Sequence, residues 1–239
     1  MLDGERRTQL RAAVYSGNGA ELVGLVRRWR LLDDDALQLI GDGLLAALAA
    51  GLDGAREQAD ACASRLRTRG WYGDEELADQ LQARLGTHAT PMLRPLAVDL
   101  EELAGVLEGD PLSGDGRIDL LTGEVWTQSA IEYGREIGEL TEDDDEDADR
   151  WLHVHCEGSR DGYRDMERFI ETRTDAGLAD RLDIAIQGRG AFRRFKDVLG
   201  RVPDQLDEWH VFSEERHRGR ARAWLAGEGY CVAPRSPTT

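Results

Sequence analysis

The segment Gly188-Arg189-Gly190-Ala191-Phe192-Arg193-Arg194-Phe195-Lys196 has the composition best suited to holding an anion. Glycines at 188 and 190 stop one helical run and open another, and the first turn of a helix carries backbone N–H groups with no partner inside the helix. Those amides sit at the positive end of the helix dipole and attract phosphate or carboxylate. Between residues 187 and 201, Arg189, Arg193, Arg194, Lys196 and Arg201 stand against a single acid, Asp197. Gly188, Arg189, Gly190, Arg193, Arg194 and Lys196 are therefore the candidate anion site. The plainer reading uses the glycines only as helix boundaries, buries Phe192, Phe195 and Leu199, and leaves Arg193 and Asp197 as an exposed i,i+4 pair worth roughly 0.3 kcal/mol.

A second basic run, Arg216, Arg218, Arg220 and Arg222, follows Glu214 and Glu215. Either it extends a surface for RNA or a nucleotide, or it is a solvated helix face behind a core stripe of His217, Ala221, Trp224 and Leu225. No aromatic platform on strands accompanies it, as RNA-reading modules require. His153 and His155 alternate, so a strand would point both to the face of Trp151; metal sites use that spacing, but no third ligand follows from it. A metal-dependent enzyme built on this pair is the alternative function.

Other chemistries find less support. Counted from Asp143, the acidic run Asp143–Asp147 puts Ala148 and Val154 at the sixth and twelfth loop positions, where a calcium-binding EF-hand needs Gly and Glu. Residues 110–122 fail too, since counting from Gly116 puts Pro111 at the first ligand position and Thr122 at the last. Ser159 and Ser213 fall at expected helix starts, where capping accounts for them, and the chain has no Gly-x-Ser-x-Gly elbow and no Walker-type phosphate loop. Asp161, Asp165 and Glu167, near Tyr163, are the carboxylates available as a general base.

The elements that must position these residues follow from apolar spacing. Leu22, Leu25, Val26 and Trp29 form one helical stripe; Leu37, Ile40, Leu44, Leu45 and Leu48 form another, entered through an acidic cap at Asp33–Asp35. Further helices are expected over 55–68 and 75–85, stopped by Gly70 and Gly86. Thr87 to Pro95 holds two prolines and no period, marking a boundary. Beyond it, 99–107 reads as a helix, 117–126 as a hairpin around Thr122-Gly123, and 151–156 as a third strand. Helices return at 159–170, with Ser159 as cap, and at 178–186, 191–199 and 213–226. The expected fold is α+β: a helical bundle over 1–90, a linker over 91–97, a small mainly antiparallel sheet packed with helices over 98–233, and a loose tail over 234–239.

Bulk composition narrows the function classes. Of 239 residues, 41% are hydrophobic and 32% charged, enough to bury a core without disulfides. No apolar run is long enough to span a bilayer and the N-terminus lacks a secretory pattern, so a cytoplasmic protein is expected, with Cys62, Cys156 and Cys231 reduced. A net charge of −17 disfavours bulk duplex DNA. Lys196 is the sole lysine, which reads as codon bias of a GC-rich bacterial genome.

Two strings, Cys156-Glu-Gly-Ser-Arg-Asp-Gly-Tyr-Arg-Asp-Met-Glu167 and Gly188-Arg-Gly-Ala-Phe-Arg-Arg-Phe-Lys-Asp197, resemble the bacterial group called Uncharacterised Protein Family 0158. The likeness runs from about Val98 to Tyr230 and takes in Thr122-Gly123-Glu124 and the closing Arg-rich helix with Trp224. It implies a family with no assigned activity, cofactor or catalytic residue, and leaves the bundle outside. The function expected from the residues is non-catalytic: a regulatory or adaptor protein binding a nucleotide or RNA at the Gly/Arg-rich helix start. A scaffold whose bundle docks a protein partner or a second copy is the other reading. No cofactor and no membrane association are expected.

Overall fold

A computed structural model of the chain describes residues 3–30, 36–110, 114–138, 140, 147 and 149–234. Asp33–Asp35, Pro111, most of the acidic run Asp143–Asp147 and the tail after Pro234 lie outside these.

Five helices open the chain: α1 (Gly4–Tyr15), α2 (Gly19–Trp29), α3 (Leu37–Ala49), α4 (Ala55–Arg69) and α5 (Asp74–Leu85). Their boundaries have local causes. Asp3 accepts from Arg6 N and Asn18 from Glu21 N, while Gly70 and Gly86 adopt left-handed conformations that end α4 and α5. The expected apolar stripes converge on one core that includes Leu22, Leu37, Ile40, Leu44, Leu66, Leu77 and Leu81.

Residues 91–97, expected as a linker, contain the strand β1 (Arg94–Leu96), which pairs in parallel with β5 (Tyr230–Val232) at the far end of the chain. Between them come α6 (Leu100–Leu107), β2 (Gly116–Asp119), β3 (Val125–Thr127), α7 (Gln128–Glu136), β4 (Trp151–Val154), α8 (Arg160–Glu171), α9 (Ala176–Ile186), α10 (Ala191–Leu199) and α11 (Pro203–Gly227). The fold is α+β, with an antiparallel sheet ordered β3-β2-β4 beside that parallel pair. The β2–β3 turn forms as expected. Asp119 Oδ1 accepts from Leu121 N at 2.8 Å, and Gly123, at φ 81°, lies against the backbone of Ala97, where a Cβ would approach within 2.5 Å.

The helix α11 is the spine of the molecule. Its 25 residues span about 37 Å, and along that length Trp209 joins the core of α8–α10, Val211 the bundle core, and Ala221 and Leu225 the core under β1, β2 and α6. The helix was expected only from 213. Pro203 at its first turn, with φ already set for a helix, extends it by ten residues.

Candidate functional site

The α9–α10 corner has the glycine geometry expected of it. Gly188 and Gly190 both adopt φ 77°, and Gly190 caps α10 with no side chain among the described residues bonding to the first-turn amides. The basic residues divide. Arg194 folds back over the end of α9, donating Nε to Ala185 O at 3.0 Å, Nη2 to Gln187 O at 2.6 Å and Nη1 to Arg189 O. Its charge sits at the negative end of the α9 dipole and satisfies carbonyls the helix leaves open. Arg193 is on the outer surface, 4.0 Å from Asp197, the exposed pair the plainer reading anticipates. Arg189 is exposed at the corner. Lys196 and Phe192 turn away from it into a cleft; Phe192, expected in the core, is 37% exposed.

The Arg-rich stretch of α11 is neither a solvated face nor a basic surface. Arg216, Arg218 and Arg222 are buried, as is Glu215. Helical spacing sends alternate charges to opposite sides. Toward the bundle, Glu214 binds Arg7 at 2.7 Å and also Arg11, Arg218 reaches Asp42 at 3.1 Å and Tyr15 Oη at 2.6 Å, and Arg222 donates Nε to Gln38 Oε1 at 2.8 Å. Toward the α+β part, Arg216 binds Asp165 at 2.9 Å, and Arg220 binds Glu108 and Asp165, both at 2.7 Å. Asp165, a candidate base in the sequence, is thus a fully buried ion-pair partner.

Glu215 supplies the cap that α3 lacks locally. Ala36 has no side chain to cap with, and Glu215 accepts from Gln38 N at 2.8 Å and Leu39 N at 3.1 Å while Arg69 holds it at 2.9 Å. A carboxylate there also complements the helix dipole. Burial pushes its carboxyl up, opposed by Arg69 and the two amides. No local sequence pattern could name a cap 177 positions away.

Where α11 passes α1, α6, α8 and α10, a cleft of about 340 Å³ opens, lined by Lys196, His210, Ser213, His217, Glu108 and Phe192 among others. Ser213, expected at a helix start, lies mid-helix. Its Oγ and Glu108 Oε2 both approach Nε2 of His217, each at 3.4 Å. A nucleophile relay needs the carboxylate and the hydroxyl on opposite ring nitrogens, so this trio does not form one. Burial holds His217 and His210 below the ordinary histidine value; Arg220 adds to this at His217, and Arg7 and Lys196 at His210.

His153 and His155 take different partners. Strand β4 ends at Val154, His153 faces Arg117 across the ladder, and His155 Nδ1 lies 2.8 Å from Asp115 Oδ2. Among the described residues no group of three His, Cys, Asp or Glu side chains is placed to hold an ion. Burial, then Arg117, lowers His153 as well. Three histidines with depressed folded values mean that the unfolded chain takes up protons first as pH falls below about 6.5, so stability conferred at neutral pH is lost on acidification. The melting temperature should drop between pH 7 and pH 5, and less so in His217→Gln; an equal drop in that variant would remove His217 from the account.

In this α+β fold, helices α1–α5 pack through α11 onto the sheets and helices that follow them. The chain belongs to the Uncharacterised protein family (UPF0158), whose model matches residues 93–235. It is 30% identical over 148 residues to the UPF0158 protein PA5073 of Pseudomonas aeruginosa, covering 62% of this chain and 94% of that one. No solved structure matches.

Proposed function

We propose that the protein is a non-catalytic regulatory or adaptor protein that binds an anionic ligand, a nucleotide or RNA, at the α9–α10 corner. The observation that carries this reading is the start of α10: two positive-φ glycines bracket Arg189, and among the described residues no side chain bonds to the first-turn amides. Arg189 and Arg193 stand exposed beside them and supply guanidinium contacts to phosphate. Arg194 holds the corner in shape instead of meeting the ligand.

The test replaces Arg189 and Arg193 with alanine together and leaves Arg194 in place. Calorimetric titration with ATP and with a single-stranded RNA oligomer should show affinity reduced about tenfold or more, two charge-assisted contacts being lost. The melting temperature should stay at the wild-type value. Equal affinity in variant and wild type, or no binding by the wild type, overturns the proposal.

A further inference from the structure

We propose that the cleft between α6, α8, α10 and α11 is a second, separate site for a small organic anion. Its carboxylate or phosphate head would meet Lys196 and His210, and its apolar body would lie against Phe192 and Trp209. The volume, about 340 Å³, is at the lower end of small-molecule sites.

The charge balance sets the sign of the occupant. Three carboxylates line the cleft, and each is held by arginine: Glu101 by Arg11 at 2.7 Å, Glu108 by Arg220 at 2.7 Å, and Glu214 by Arg7 at 2.7 Å. Lys196 has no carboxylate within ion-pair distance among the described residues. The uncompensated charge on the cleft wall is therefore positive. His210 and His217, whose charged forms burial disfavours, add hydrogen-bonding groups to the wall.

The apolar half of the site is equally specific. On α10, Phe195 and Leu199 are buried, whereas Phe192 presents its ring to the opening. Gly162 of α8 lies directly under that ring, where a Cβ would come within 3.3 Å of it. Gly105 of α6 borders the same space, and a Cβ there would meet nothing within 4 Å. An open ring next to unfilled volume and an unpaired ammonium is the layout of a pocket for an amphiphilic anion. Because Ser213 and Glu108 share one nitrogen of His217, the site binds its occupant without activating the serine.

The experiment uses the full-length protein and the anionic aromatic dye 8-anilinonaphthalene-1-sulfonate, with benzoate and phenyl phosphate as competitors. The wild type should bind the dye saturably at one site, and both competitors should displace it. Gly105→Leu places an apolar side chain at the cleft from a position where a Cβ meets nothing within 4 Å, and Lys196→Gln removes the head-group charge at an exposed position. Each should weaken dye binding at least tenfold with no loss of melting temperature. The Arg189/Arg193 double variant should bind the dye as the wild type does, which separates this site from the corner. Wild-type affinity in Gly105→Leu or Lys196→Gln, or no saturable binding by the wild type, overturns the proposal.

Discussion

Gly219→Ala should destabilise the protein by about 3 kcal/mol or more, the upper range for overpacking, because the added Cβ has nowhere to go. Gly219 sits in the middle of α11, against the turn between α4 and α5. A Cβ there would overlap the carbonyl oxygen of Tyr72 and lie 3.2 Å from its carbon. From the other side, a Cβ on Gly73 would lie 2.7 Å from both the Cα and the carbonyl carbon of Gly219, and Gly73 also adopts φ 80°. Two backbones touch through two glycines, and backbone cannot rotate aside as a side chain can. The comparison is Gly24→Ala in α2, exposed and with nothing within 4 Å, which should gain roughly 0.5–1 kcal/mol from helix propensity. Urea unfolding measures both. Equal stability of the two variants would show that the α11–turn contact tolerates separation.

Arg69→Met is the second large effect. The Arg69 guanidinium donates to Asp74 at 2.9 and 2.7 Å and to Glu215 at 2.9 Å, and all three side chains are at most 4% exposed. Removing it strands two buried carboxylates, and breaking such a pair costs about 3–5 kcal/mol. The pair as a whole is worth far less, since desolvation offsets most of the attraction. Arg69→Met combined with Glu215→Met should therefore recover part of the loss, although α3 then loses its cap. Unfolding free energies for the single and double variants form the cycle that separates these terms. Additivity within about 0.5 kcal/mol would mean that Arg69 and Glu215 do not act as a unit. Raised salt should change the wild type little, because these charges are shielded from counterions.

Charged side chains of α11 join helices α1–α5 to the rest of the fold alongside apolar ones. On α11, Val211 enters the core of these helices and Phe212 packs edge-on against Trp71 at 5.4 Å, while Glu214, Glu215, Arg218 and Arg222 all reach across. Such a face discriminates sharply between partners, because a misplaced neighbour leaves charges unpaired in a dry interior.

Much of the candidate corner was legible. Glycine at 188 and 190 between two apolar periods signals a helix break, and left-handed φ is a property of glycine itself. What Arg194 does there was not legible, since the carbonyls it holds become available only once α9 ends at a particular residue. The cleft with Lys196, His210 and His217 was invisible, because its walls come from five helices separated along the chain.

By itself the sequence determined the elements. Apolar periods, the Asp99 and Asp175 caps, the stops at Gly70 and Gly86 and the Thr122-Gly123 turn are interactions within a few residues, and most expected helices and strands formed within a few positions. Tertiary structure alone decided where the charges of α11 went. Arg216, Arg218 and Arg222 look solvated from composition, since an isolated helix would keep them in water. They are buried because Asp42, Asp165, Gln38 and Tyr15 arrive from other helices to meet them, and only a partner at bonding distance offsets the cost of taking a guanidinium out of water.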